Sequence, residues 1–173
     1  MLFVAVLTLL ALSALADDFH DPEYSFVAPV GPGSGTAFSL TGEGRITAIR
    51  VWEWSGSYIV GFQFRYGVVW SEVVGRKEGE SHEMELFDGE AIVQISGKYT
   101  SYIQSVVFIT NMGRSLNVGR PSGHSFNMYP TNKHAELCFI SGRYHSGISS
   151  LGSHWALVNP STDSTMNNQG EVE

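Results

Sequence analysis

The amino-acid sequence predicts an all-β domain, folded as a sandwich, a barrel or a prism. Beyond Arg45, short runs rich in Val, Ile, Phe, Tyr and Trp recur roughly every ten residues. Gly, Asn or Ser bounds each run, and no longer stretch carries the 3.6-residue period of an amphipathic helix. The one cysteine in 173 residues excludes an intramolecular disulfide, so the fold rests on its core, and 43% of the chain is hydrophobic.

Residues 1–16, MLFVAVLTLLALSALA, are apolar and end in Ala14-Leu15-Ala16, a small-x-small cleavage pattern. They read as a secretory signal peptide, being shorter than the roughly 20 residues that span a bilayer. Residues 17–29 are polar without a period and read as a flexible lead-in. The folded domain is expected over 30–159. It opens on VGPGSGTAF, where Gly31, Gly33 and Gly35 surround Pro32. That segment is either a plain turn or a loop whose amides approach a ligand closely.

Strands are expected over 45–54, 58–66, 68–74, 82–87, 91–96, 103–110, 135–141 and 153–158. An apolar echo links Ile46, Ile49 and Val51 with Ile103, Val106 and Phe108, and more faintly with Ile148 and Leu151. Spacings near 50 residues imply three related β units around one core. The polar tail, 160–173, is expected to be disordered.

Charge narrows the partners. With 17 acidic against 10 basic residues the net charge is -7, a field that repels nucleic acid and anionic membranes. Cys138 lies in Leu137-Cys138-Phe139-Ile140 and reads as a buried core thiol. Asn159 precedes Pro160, and no glycosylation sequon is present. Nothing in the sequence fixes an oligomeric state.

Catalytic signatures are missing. The six histidines are scattered, without metal-ligand pairing, and GPGSG has the wrong spacing for a nucleophile elbow. No cofactor motif is present, so the reading is non-catalytic. HEMELFDGE, 82–90, reads as a solvated hairpin face with a turn at Asp88-Gly89; a calcium site there would lack EF-hand spacing. His154, beside Trp155, reads as a satisfied core histidine.

Two loops remain. The first holds Lys98, Tyr99 and Tyr102, whose rings either stack on sugars or are ordinary exposed aromatics at strand ends. The second, in SGRYHSGISSLGSHWA, presents His145, Ser146, Gly147 and Ser149 to solvent and contains no carboxylate.

With the glycine loop ending in Phe38, the motifs YIVGFQFRYG, VWSEVVG, VQISGKY, FISGR and LGSHW occur in one order between Val30 and Trp155. In these the chain resembles the jacalin-related lectins, in particular their secreted zymogen granule membrane protein group. The resemblance implies a β-prism of three four-stranded antiparallel sheets with pseudo-threefold symmetry. It also implies a sugar site built from the glycine loop (Gly33, Ser34, Gly35), a recognition loop (Lys98, Tyr99, Tyr102) and a Gly-x-x-x-Asp loop. Aligned without a gap, the last places His145 at the Gly and Ser149 at the Asp, with Ser146 and Gly147 carrying amides.

The missing acid can be sized. A millimolar sugar complex is worth about 4 kcal/mol, and one charge-assisted hydrogen bond supplies roughly 1.5 to 3 of that. Free mannose binding is therefore expected to be weak or altered, with His145 adding an imidazole to the loop. A single Lys98 in the recognition loop disfavours sulfated glycans. The expected partners are glycans or glycoproteins of a secreted protein, in mucus or secretory granules. The alternative is a lectin-derived matrix or protein-interaction module that no longer binds sugar.

Overall fold

A computed structural model of the chain describes residues 23–158; the signal-peptide and tail expectations lie outside them. The described residues contain thirteen strands and no helix. They are β1 (Tyr24–Val30), β2 (Thr36–Leu40), β3 (Ile46–Trp54), β4 (Tyr58–Tyr66), β5 (Val69–Trp70), β6 (Val74–Gly75) and β7 (Glu80–Glu85). The chain continues through β8 (Ile92–Tyr99), β9 (Ile103–Thr110), β10 (Ser115–Gly119), β11 (His124–Met128), β12 (Glu136–Tyr144) and β13 (Ile148–Ala156).

The strands form three antiparallel sheets, ordered β1-β13-β12-β2, β10-β9-β8-β11 and β5-β4-β3-β7, with β6 also on the β4 edge. Each sheet is a Greek key in which the fourth strand returns beside the first. Two keys run unbroken along the chain. The other is assembled from both ends, with β12, β13, β1 and β2 as its first to fourth strands. This corrects the lead-in: Tyr24 to Val30 is an edge strand that pairs Tyr24 with Ala156. Pro29 is tolerated there because a register shift between Val27 and Val30 releases the ladder.

The expected strand 68–74 is split in two. Ser71 interrupts it, its N–H donating to the Phe64 carbonyl and its hydroxyl accepting from the Phe64 N–H. The third sheet therefore has an edge made of two short pieces, β5 and β6, on β4.

The second strands of the three keys, β4, β9 and β13, pack against one another along the centre of the prism. Their inward residues stack in layers: Ile59, Ile103 and Ile148; Phe62, Val106 and Leu151; Phe64, Phe108 and Ser153. Every one of these is 0% exposed. Phe62 and Phe64 meet Phe108 edge-on at 6.2 and 6.0 Å between ring centroids. The true repeat thus begins at Ile59 in β4. Ile46 of the apparent echo lies on β3, a first strand that shares the apolar pattern for its own core contacts.

The same register recurs in the loops. Gly31, Gly75 and Gly119 follow one another at 44-residue intervals, and each has a positive φ. A Cβ on any of the three would collide with a backbone carbonyl at the start of the neighbouring second strand: Ser149, Val60 or Gln104. Only glycine lets the loop lie that close. Cys138 departs from expectation, being half-buried at a register shift between Leu137 and Phe139; burial still pushes its thiol pKa up.

Glu90 ties two sheets together. Its side chain is fully buried. The carboxylate accepts from the Phe87 N–H at 2.8 Å, the Thr110 hydroxyl at 2.6 Å and Arg114 at 2.5 Å. Burial alone would raise its pKa, but these donors hold it below the ordinary value near 4.5. Stability from this group is present above that value and is lost as pH falls through the lowered one. Glu90→Gln should cost about 2 to 4 kcal/mol near neutrality and flatten the acid limb of the stability profile. Urea melts of both chains from acid to neutral pH check this; parallel acid limbs would contradict it.

Candidate glycan-binding site

The first and second strands of each key are joined by a tight hairpin, and all three hairpins turn at one end of the prism. Their tips close by backbone bonds from Ser57 N–H to Trp54 C=O, Thr100 N–H to Tyr102 C=O, and His145 N–H to Gly147 C=O. Tyr58, Tyr102 and Gly147 occupy matching positions, each directly before the first isoleucine of the core layers. Their equivalence brings them together. The Tyr58 and Tyr102 rings stack at 4.8 Å with an interplanar angle of 19°. A Cβ on Gly147 would sit 2.7 Å from the Tyr58 ring and 3.1 Å from that of Tyr102, so the third position must be glycine for the pair to close.

His145 extends this platform. Its ring lies 5.0 Å from the Tyr102 ring, and Nδ1 is 3.3 Å from the Tyr102 hydroxyl. His145 and Ser146 are exposed, while Gly147 is buried beneath the rings. Tyr58 was not among the expected site residues. The signal for it was its place 44 residues before Tyr102, each ahead of an Ile-x-x-apolar run.

The glycine loop is fastened beside this tip. The Gly33 N–H donates to the Ser149 carbonyl at 3.3 Å. The Ser149 hydroxyl lies 2.5 Å from the Ser34 carbonyl and 3.0 Å from the Arg143 carbonyl. Arg143 Nη1 donates to the Gly35 carbonyl at 2.8 Å, an anchoring residue the sequence reading passed over within FISGR. Below the loop, Gly31, Gly33, Phe38, Gly142 and Ser150 help to line an open hollow of about 300 Å³. Glycines line it from both the loop and β12.

Ser149, Lys98 and Tyr99 are placed differently from a solvent-facing loop. Ser149 is 0% exposed. Its hydroxyl is a clamp between two carbonyl oxygens and does not face a ligand. Lys98 and Tyr99 turn towards β11: Lys98 Nζ donates to the Ser125 hydroxyl at 3.0 Å, and Tyr99 packs 5.5 Å from the His124 ring. Of the recognition-loop residues, only Tyr102 joins the platform.

Elsewhere, His154 is satisfied as expected, but on the outer face of its sheet. Its ring stacks on Phe139 at 3.9 Å, and its nitrogens bond the Tyr24 hydroxyl at 2.5 Å and the Ser141 hydroxyl at 2.9 Å. Desolvation lowers its pKa. Within 82–90, Glu83, Glu85 and Glu90 are paired with Arg50, Arg65 and Arg114, which leaves no run of free carboxylates for calcium.

The cluster therefore offers two stacked aromatic faces, an imidazole, hydroxyls and loop amides, and holds no carboxylate. Such a surface suits a neutral polyol with an apolar C–H face. Because Gly147 carries no strained φ, Gly147→Ala isolates the close approach. It should part the tyrosine pair, cost about 1 to 3 kcal/mol, and remove whatever ligand binding the platform supports. Thermal melts and ligand titration of this variant check both effects; wild-type values for each would contradict the platform.

Comparison with known proteins agrees with this geometry. The jacalin-like lectin domain model matches residues 27–154. The human zymogen granule membrane protein 16 is 44% identical over 158 residues, covering 90% of this chain and 94% of that protein. The crystal structure of a prostate-specific WGA16 glycoprotein lectin superposes with a TM-score of 0.70 at 33% identity, over 78% of this chain and all of that one. An artocarpin–mannotriose complex shares the fold, at a TM-score of 0.66 and 20% identity over 79% of this chain and 99% of that one. The chain belongs to the jacalin-like lectin family.

Proposed function

We propose that the chain is a secreted, non-catalytic glycan-binding protein that reads extended glycans. On this reading the family's mannose-anchoring Asp is replaced by Ser149, so free mannose binds weakly or not at all. The observation that carries the proposal is the engagement of the Ser149 hydroxyl with the Ser34 and Arg143 carbonyls. A buried hydroxyl already spent on the protein cannot also act as a bidentate charged acceptor for two sugar hydroxyls.

Affinity then has to come from area. Stacking on the Tyr58–Tyr102 face and bonds to the exposed rim of Ser34, Gly35, His145 and Ser146 favour a ligand longer than one ring. Passage through secretory granules is supported by the name of the zymogen granule relatives and by the apolar N-terminal segment.

A glycan array with the wild-type chain and with Tyr102→Ala tests this. Extended glycans should bind, free mannose should not, and the substitution should weaken binding about tenfold, the scale of one lost aromatic stacking contact of roughly 0.5 to 1.5 kcal/mol. Strong mannose binding would contradict the replacement reading. Silence across the array from a folded chain would overturn sugar binding and direct the search to protein partners.

A further inference from the structure

Glu53 is an anomaly in this fold. It stands near the end of β3 with its side chain nine-tenths buried, and its carboxylate accepts no hydrogen bond from the described residues. Its carboxylate faces His82 Nε2 on β7 at 3.5 Å, and that nitrogen is itself sealed from solvent without a hydrogen-bond partner. Glu80, opposite Glu53 across the β3–β7 ladder, brings a carboxylate oxygen to 3.8 Å from the same nitrogen. The ligand atoms of all three side chains lie within 4.8 Å of one another.

The contrast with their neighbours is direct. Glu83 and Glu85, further along β7, are each paired with an arginine, and so is Glu90 in the turn that follows. Arg76, the arginine of the loop before β7, pairs through Nη1 with Glu78 at 3.0 Å and lies over the Trp54 ring, while its buried Nε makes no hydrogen bond. Two carboxylates converge on one imidazole nitrogen, and neither accepts a hydrogen bond from another side chain among the described residues. A buried carboxylate in that state is costly, and the arrangement calls for a positive charge between the three atoms.

We infer that Glu53, Glu80 and His82 form a binding site for one divalent transition-metal ion of the Zn2+ type. The alternation of β7 puts Glu80 and His82 on one face of the strand, and the register with β3 puts Glu53 beside them. A tetrahedral Zn2+ with bonds of about 2.0 to 2.2 Å holds its ligand atoms roughly 3.3 Å apart. The distances from His82 Nε2 to its two carboxylates are close to that, so small rotations of the side chains complete the shell.

The donor set selects the ion. One imidazole and two carboxylates suit Zn2+, whereas Ca2+ takes six to eight oxygens and Mg2+ keeps its waters. Access is from the side of Glu80, whose side chain is 71% exposed. The fourth position is left to water. Bound there, the ion joins the end of β3 to the edge strand β7, next to the hairpin that carries Tyr58.

Zinc chloride titrated calorimetrically into the chelator-stripped chain is the test. We expect one ion per chain and a raised melting temperature that equal concentrations of MgCl2 or CaCl2 do not reproduce. His82→Ala, Glu53→Gln and Glu80→Gln should each weaken binding about tenfold or more. Glu80 is exposed, so its substitution cannot act by unfolding the domain. No zinc binding by the wild-type chain overturns the inference. Zinc binding that survives all three substitutions overturns it as well.

Discussion

The whole molecule depends on the mutual packing of β4, β9 and β13. Three isoleucines, then Phe62, Val106 and Leu151, then Phe64, Phe108 and Ser153 fill the prism axis without exposure to water. Interiors packed at this density respond to the loss of single methylene groups. The third layer shows how the volume is kept: where two sheets supply phenylalanine the other supplies serine, and the next inward residue there is Trp155, fully buried with its N–H on the Ser153 hydroxyl. Apolar contact fixes the depth of each sheet, and through it the level at which every hairpin turns.

That shared level produces the site. Three hairpins that end at the same height must meet, and three tyrosines would not fit where Tyr58, Tyr102 and Gly147 converge. Breaking the symmetry with one glycine creates an aromatic platform beside a single opening. The glycine loop is then held against the same hairpin by Ser149 and Arg143. Position 149 thus shapes the loop, and on the proposed reading recognition falls to rings and amides.

Much of the fold was legible in the chain. Long apolar strands such as Tyr58–Tyr66 and Ile103–Thr110 announce themselves because both of their faces are determined by burial. The edge strands β1, β2, β10 and β11 do not. SLNVG and HSFNM are short and mostly polar, and their extended form is imposed by the inner strand each one pairs with. The apolar echo revealed the threefold order but chose Ile46 for Ile59, since first and second strands of a key both face the core and pattern alone does not separate them.

The site was less legible for a related reason. Ser149 reads as a surface loop residue, and its burial depends on Ser34, 115 residues away in sequence. Tyr99 and Tyr102 lie three residues apart, yet a register shift between Lys98 and Tyr99 sends them to different neighbours. Resemblance supplied the location of the loops, and geometry supplied which side chains face out.

On the proposed function, recognition proceeds without a carboxylate anchor. Amide NMR titration with methyl α-mannoside tests it most directly, because it reads Gly33, Ser34, Gly35, Ser146 and Gly147 individually. The prediction is no saturable shift at these amides at concentrations of about 10 mM, well above the millimolar range in which a complex of about 4 kcal/mol saturates. Saturable shifts confined to those amides, with a dissociation constant of about 1 mM or below, would contradict it.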